Sequence, residues 1–467
     1  MSRWTMLGFC IAVIGGLNAC QLEGDANDST RAKDDFVGGV VVKHRDPIVL
    51  KETITEREIT VKPNDQGVSE FKFSGKPLSG KYNVTIVSSG DQNCTLENGS
   101  GTYNNFPVFD IKVLCEDENG TRWSGNPIVR NMYTADPSVL VEGDTLYMYA
   151  GRDETSFFHV DPARCGTACA EKFVQLFSDF NITGIHIFKT TNMVDWSYVG
   201  PAIHAKDTTW MSQTWASQIA KKGDKYYLYT CSPVKVSVGL AVVFQNIMAA
   251  LQGKEANAGP YAEVGVAVSD SPEGPFVDIG QSLVKQGMPN AGPSIMDPTV
   301  SFDDNGDAYL FYGGGGVAKY VKLGDDMVSL DGDIKDVRLS DGSTFPGFTE
   351  GPHMHQQNGK YYLSYSASKA FNLGPLRYAM ADSVHGPWTY KGDYLGDVKI
   401  TTNHGSIARF KGNDYAFYHT GLLPGITTFF GALAATGTRA VSLDKLEYTD
   451  NGEIKFVEQT RVGVKEF

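Results

Sequence analysis

Three acidic residues sit beside prolines at the heads of alternating segments: Asp136 in ADPSV, Asp297 in MDPTV and Glu350 in EGPHM. Taken singly, an Asp before Pro is usually a turn former. Taken together around one pocket, three carboxylates perturb one another. Like charges raise each other's pKa, so one group keeps its proton near neutral pH while another stays ionised. Hydrolysis of a glycosidic bond needs that division of labour. One acid protonates the leaving oxygen and a second carboxylate activates water. Trp215 and Trp210 are candidates for an aromatic platform, because the C–H faces of a sugar ring are apolar.

Convergence of these residues has to come from the fold, and an internal repeat supplies it. Five segments open at Asp136, Trp215, Asp297, Glu350 and His404. Each runs through an alternating strand, a Gly-containing turn and an aromatic strand. The first aromatic after the turn falls 11 or 12 positions from the opening residue every time. The turns lie near 143, 223, 306, 359 and 412, and the two longer intervals hold insertions. Second halves such as IHIFKTTNMVDW, VGVAVSDSPEGPF and LRYAMADSVHGPW follow most of them. Five four-stranded units predict an all-β, five-bladed propeller over residues 127–467, since a unit of about 53 residues suits a blade better than a sandwich array. First strands line the central channel and run the same way, so the five opening positions ring one mouth. A purely structural ring would repeat one residue type. This one holds three acids, a tryptophan and a histidine.

The remaining chain carries different textures. Arg3 followed by the uncharged run from Leu7 to Leu17 fits a signal-peptide core and is too short to span a bilayer. The sequence LNAC ending at Cys20 resembles a bacterial lipobox, which implies a signal peptide over 1–20, lipid on Cys20 and a polar tether over 21–34. The expected place is the bacterial cell envelope, with ordinary secretion as the alternative. Residues 35–117 alternate in short runs separated by Gly, Asn and Ser, and predict a small β-sandwich before a linker at 116–127. Part of it resembles Ig-like repeats of Gram-negative surface proteins, which implies a spacer or an accessory carbohydrate module. Cys94 and Cys115 are a candidate disulfide, Cys165 and Cys169 could close a small loop, and Cys231 is left over. A net charge of −13 repels phosphate backbones and argues against nucleic acid as a partner. His353 and His355 share one strand face and read as pocket or packing residues, because no third metal ligand is evident.

The motifs YTADPSVLVEGDTLYMYAG, MDPTVSFDDNGDAYLFYGG, FTEGPHMHQQNGKYYLSYS, NHGSIARFKGNDYAFYH and TRAVSLDKLEY together resemble glycoside hydrolase family 43 over about residues 127–465. The resemblance implies an inverting glycosidase acting on arabinose- or xylose-containing glycans, with Asp136 as general base, Glu350 as general acid and Asp297 orienting Glu350 and tuning its pKa. It implies that His404 lies at the channel near a calcium or water cluster, and that Arg439 reaches the pocket. No cofactor is required on this reading, and calcium is the one optional ion. The expected partner is a poly- or oligosaccharide, met by a monomer whose only membrane link is the lipid anchor. A glycan-binding lipoprotein without catalysis, and a relative acting on galactose-containing or algal glycans, are the alternatives. Residues 236–259 and 421–437 depart from the compact family pattern. They are expected to be insertions that reshape the pocket or pack on the propeller wall.

Overall fold

The structure, a computed structural model, describes residues 36–467 apart from 76, 78–79, 104–107, 154–181, 234–261, 370–371, 399, 401 and 424–438. The expectations for the signal peptide, Cys20, the tether, Cys165, Cys169, residues 236–259 and most of 421–437 lie outside the described residues.

Among the described residues eight strands precede the repeat. β1 (Phe36–Val42), β4 (Val68–Ser74), β6 (Cys94–Glu97) and β8 (Val108–Cys115) form one sheet, in which β1 and β8 run parallel. β2 (Ile48–Glu52), β3 (Arg57–Val61), β5 (Lys81–Ser88) and β7 (Ser100–Thr102) form a second. Alternating apolar residues from both, among them Val37, Val41, Ile48, Leu50, Phe71 and Val84, share one core. Cys94 and Cys115 sit directly opposite each other on β6 and β8 and are disulfide-bonded.

The repeat folds into five blades. Blade I is β9 (Thr134–Glu142), β10 (Thr145–Asp153), β11 (Ile182–Thr190) and β12 (Ser197–His204). Blade II is β13 (Ser217–Lys222), β14 (Lys225–Pro233), β15 (Ala262–Ser269) and β16 (Val277–Val284). Blade III is β17 (Thr299–Phe302), β18 (Ala308–Tyr312), β19 (Lys319–Lys322) and β20 (Lys335–Asp336). Blade IV is β21 (Phe348–Gln357), β22 (Lys360–Lys369), β23 (Asn372–Ala381) and β24 (Thr389–Leu395). Blade V is β25 (Gly405–Phe410), β26 (Asn413–Thr420) and β27 (Ala440–Leu446). The innermost strands touch in a closed circuit, β9 to β13, β17, β21, β25 and back to β9.

Packing between blades explains the aromatic second strands. Each is buried on both faces, so its sequence is apolar throughout. In β10, Tyr147 and Tyr149 pack toward blade II, while Leu146, Met148 and Ala150 pack toward blade V. In β14, Tyr226 and Leu228 face blade I, and Tyr227 and Tyr229 face blade III.

Blade V departs from the expected four strands: among the described residues its sheet has three. The outer edge of β27 is covered instead by the irregular strap that leads into blade I. The Ile128 amide donates to the Val441 carbonyl and the Thr134 amide to that of Arg439. Asn126 is fully buried; its side chain donates to the Leu443 and Thr460 carbonyls and accepts from the Leu443 amide. The first and last segments of the propeller thus close the ring side by side. Replacing Asn126 by Ala leaves several buried backbone groups unpaired and should cost roughly 2–4 kcal/mol of stability, at about 1–3 kcal/mol per unsatisfied group. Denaturant unfolding of the variant checks this.

The sandwich seats on this closure. Val40, Val42, Val68 and Leu114 pack with Val194 of the β11–β12 loop, and the buried Lys112 ammonium donates to the Ser124 and Ile128 carbonyls, each at 3.0 Å.

Candidate active site

The acids are delivered by breaks in the strand ladders. Proline has no N–H to give a ladder. At Asp136-Pro137, three steps of β9 from Ala135 to Ser138 span two of β10, and at Glu350-Gly351-Pro352 three steps of β21 span two of β22. Such bulges re-aim a side chain. Asp136 and Asp297 both have positive φ, 50° and 54°, although each precedes a proline that favours extended backbone. Conformations of this kind cost about 1–3 kcal/mol each and persist only where surrounding structure enforces them. Gly351, with φ of 63°, turns its amide to donate to the Asp297 carboxylate at 2.8 Å, under the His404 ring.

Arg439 organises the pocket. It is 2% exposed, and its Nη1 donates to both Asp136 oxygens at 3.1 and 3.2 Å. Its Nε and Nη2 grip Asp153 at 3.0 and 2.8 Å, and its amide adds a third bond to Asp153. Burial works against the guanidinium charge, but Asp136 and Asp153 more than compensate and Arg439 stays cationic. Burial likewise opposes charge on Asp136. The Arg439 charge outweighs it and holds this carboxyl well below the usual carboxylate range.

His419 is fully buried against Asp136. Its Nδ1 accepts from the Asp136 amide at 3.2 Å, and its Nε2–H donates to the Thr402 carbonyl at 2.8 Å, a tautomer assigned from this network. Burial favours the neutral ring.

Asp297 and Glu350 move the other way. Burial first, then the charge on Asp136, raises Asp297. Burial first, then Asp297 and Asp136, pushes Glu350 up to about 8. Asp297 is braced by the Gly351 amide and by Cys231, whose buried sulfur accepts from the Asp297 amide at 3.2 Å and lies 3.8 Å from its carboxylate.

Other predicted residues land differently. His404 joins the ring, its Nδ1 3.7 Å from Asp136, and an ion beside it would draw most of its ligands from water. Calcium wants several oxygen ligands, and the carboxylate beside His404 is already held by Arg439. Among the described residues no three His, Cys, Asp or Glu side chains converge as a metal site. Trp215 stands at its ring position but is 6% exposed, its indole packed in the core between blades II and III and donating to Gln213. It is a core residue rather than an open platform. Trp210 is not at the inner ring: its ring lies against Gly265 on β15 and its Nε1 donates to Asp278 on β16, the third and fourth strands of blade II. His353 accepts from the Ile407 amide, and His355 stacks on Tyr362, so both are packing residues.

Sequence reasoning passed over Asp153 and His419. Asp153 ends β10 and His419 is next to last in β26, and these strand ends rim the same mouth as the openings of the first strands. The signal was a polar residue closing an apolar strand, in YMYAGRD and YAFYHT.

Residues 124–454 match the glycosyl hydrolases family 43, and the chain belongs to that family of glycosidases. An arabinoxylan arabinofuranohydrolase of Paenibacillus polymyxa is 27% identical over 77% of this chain, which spans only 55% of that enzyme's length. A xylosidase/arabinosidase 43A of Humicola insolens is 29% identical, over 63% of this chain and 89% of that one. A calcium-free crystal structure of a family 43 β-xylosidase/α-arabinofuranosidase from a compost microbial metagenome, in complex with xylotriose, superposes with a TM-score of 0.53 at 26% identity. That similarity covers 72% of this chain and 98% of the other.

Arg439→Met removes the charge that keeps Asp136 ionised and leaves two buried carboxylates without it. The acid limb of the pH–rate profile should move to higher pH, and kcat should fall by about 10²–10³, the scale of losing a positioned charge donor. A profile displaced nowhere would contradict this account of Asp136.

Proposed function

We propose that the chain is an inverting glycosidase that releases arabinofuranose or xylose from plant-type polysaccharides and their oligosaccharides. The observation that carries this is the opposite tuning of two acids in one buried ring. Asp136 is held ionised by Arg439, and Glu350 is held protonated by burial and by Asp297. Asp136 takes a proton from water as its oxygen bonds to the anomeric carbon. Glu350 gives its proton to the glycosidic oxygen as the carbon–oxygen bond breaks. Asp297, tied to the Gly351 amide, positions the segment that carries Glu350 and keeps its proton affinity high. Water and leaving group occupy opposite faces, so the product inverts. Exchange with solvent then returns a proton to Glu350 and removes one from Asp136. No cofactor enters the scheme.

The sugar assignment is supported by the relatives' names, two of which join xylosidase and arabinosidase activities, and by the xylotriose complex of the third. The lipobox-like LNAC at Cys20 supports a lipid-anchored enzyme of the bacterial envelope.

Incubation of the full chain with arabinan, arabinoxylan and xylo-oligosaccharides, with products identified by chromatography, tests the substrate. Proton NMR of the first-formed anomer tests inversion. Glu350→Gln should lose about 10³-fold in kcat on unactivated glycosides with its melting curve intact. Undiminished hydrolysis by that variant would remove Glu350 from the mechanism.

The pH dependence has a definite sign. Glu350 acts only while protonated, so kcat/KM should fall as pH rises through about 8. On the acid side Asp136 stays ionised below the ordinary carboxylate range, so activity should persist there. An alkaline limb near pH 5 would show that Glu350 is not raised.

A further inference from the structure

A cavity of about 470 Å³ lies where the sandwich meets blade I, and Asp136 is not part of its lining. That volume is within the roughly 300–1,000 Å³ of small-molecule sites. The sandwich contributes Glu97, Asp110 and Lys112, the strap contributes Arg130, and β12 with its preceding loop contributes Trp196 and Tyr198.

Arg130 is the unusual member. It is 5% exposed, its Nε donates to the Phe109 carbonyl at 3.1 Å, and its Nη1 is buried with no partner. Among the described residues no carboxylate forms an ion pair with it. A buried guanidinium N–H without an acceptor costs free energy that a ligand oxygen would return. At the other side, the Tyr198 ring is 47% exposed, with its hydroxyl 2.9 Å from His186 Nδ1. Trp196 is fixed beside it by its Nε1 bond to the Met193 carbonyl.

We propose that this cavity is a second glycan-binding site, taking a neutral sugar unit of the polymer chain. The site offers an aromatic face for C–H groups, a buried donor for a ring or hydroxyl oxygen, and carboxylates for hydroxyl hydrogens. With Glu97, Asp110 and Asp195 set against Lys112 and Arg130, the lining holds no excess of positive charge for an acidic sugar, and a neutral unit fits it. The site holds chain while the propeller mouth cuts, which assigns the junction a role in capturing polymer. The inference borrows from the active-site reading only the class of ligand.

Affinity electrophoresis in arabinoxylan gels tests it, using the full chain carrying Glu350→Gln so that turnover is suppressed. Tyr198→Ala and Arg130→Met are added separately. The exposed position of Tyr198 makes that variant safe for folding. Each should weaken retention about fivefold, the effect of one lost stacking or hydrogen-bond contact. In the background with Glu350 intact, kcat/KM for a short aryl glycoside should stay unchanged. Retention equal to the parent in both variants overturns the proposal, as does failure of the parent to be retained at all. A variant that loses retention and aryl-glycoside activity together also overturns it, since the defect is then global. If the chain with Glu350 intact hydrolyses nothing but Tyr198→Ala still loses retention, this site stands and the catalytic reading falls.

Discussion

The buried contact between Arg439 and its two aspartates is the interaction on which the rest of the site depends. Burying a guanidinium and two carboxylates is expensive, and the cost is offset only when geometry and hydrogen bonding are complete. Here they are: Asp153 takes Nε, Nη2 and the backbone amide, and Asp136 takes Nη1. Arg439 also stands at the entrance to β27, where its carbonyl accepts from the Thr134 amide. The bonds that shut the propeller between blades V and I are therefore continuous with those that ionise Asp136. Loosening the closure and disabling the base are one event in this fold.

The same economy appears in the backbone. A regular propeller strand alternates its side chains and would send half of them into the blades. Prolines at 137, 298 and 352 end the regular ladder next to each acid, and bulges and left-handed residues turn the acids to the mouth. Beyond the break, ordinary packing resumes, with Met354 and Ile407 in core clusters. The two left-handed aspartates sit at the top of the channel, and the tightly packed strands below hold them there.

Much of this was legible in the sequence, for a physical reason. Repetition turns local patterns into a statement about distance, so Asp136, Asp297, Glu350 and His404 could be placed on one ring before any coordinates. Arg439 and its partners were harder. Its importance lies in pairing with Asp153, whose strand looks like every other second strand until its last residue. The tryptophans misled because aromatic type does not encode exposure: Trp215 occupies a ring position yet fills the gap between two blades. The three-stranded sheet that blade V forms among the described residues has a similar origin. Its edge is covered by residues that belong, in chain order, to the entrance of blade I.

The placement of one proton completes the argument. Four carboxylates, those of Asp136, Asp153, Asp297 and Glu350, surround one guanidinium in a space where water is scarce. Charge alone demands that at least one carboxyl be protonated. Hydrogen bonds decide which. Asp153 and Asp136 have Arg439, and Asp297 has the Gly351 amide with the Cys231 thiol behind it. Among the described residues no donor reaches the Glu350 carboxylate, while Asp297 and Asp136 both repel its charge. The proton therefore belongs on Glu350, on the half-buried acid that opens to the channel, where a leaving oxygen can receive it. Asp297 acts without touching the reaction, as the charge that keeps the proton on its neighbour until a better acceptor arrives.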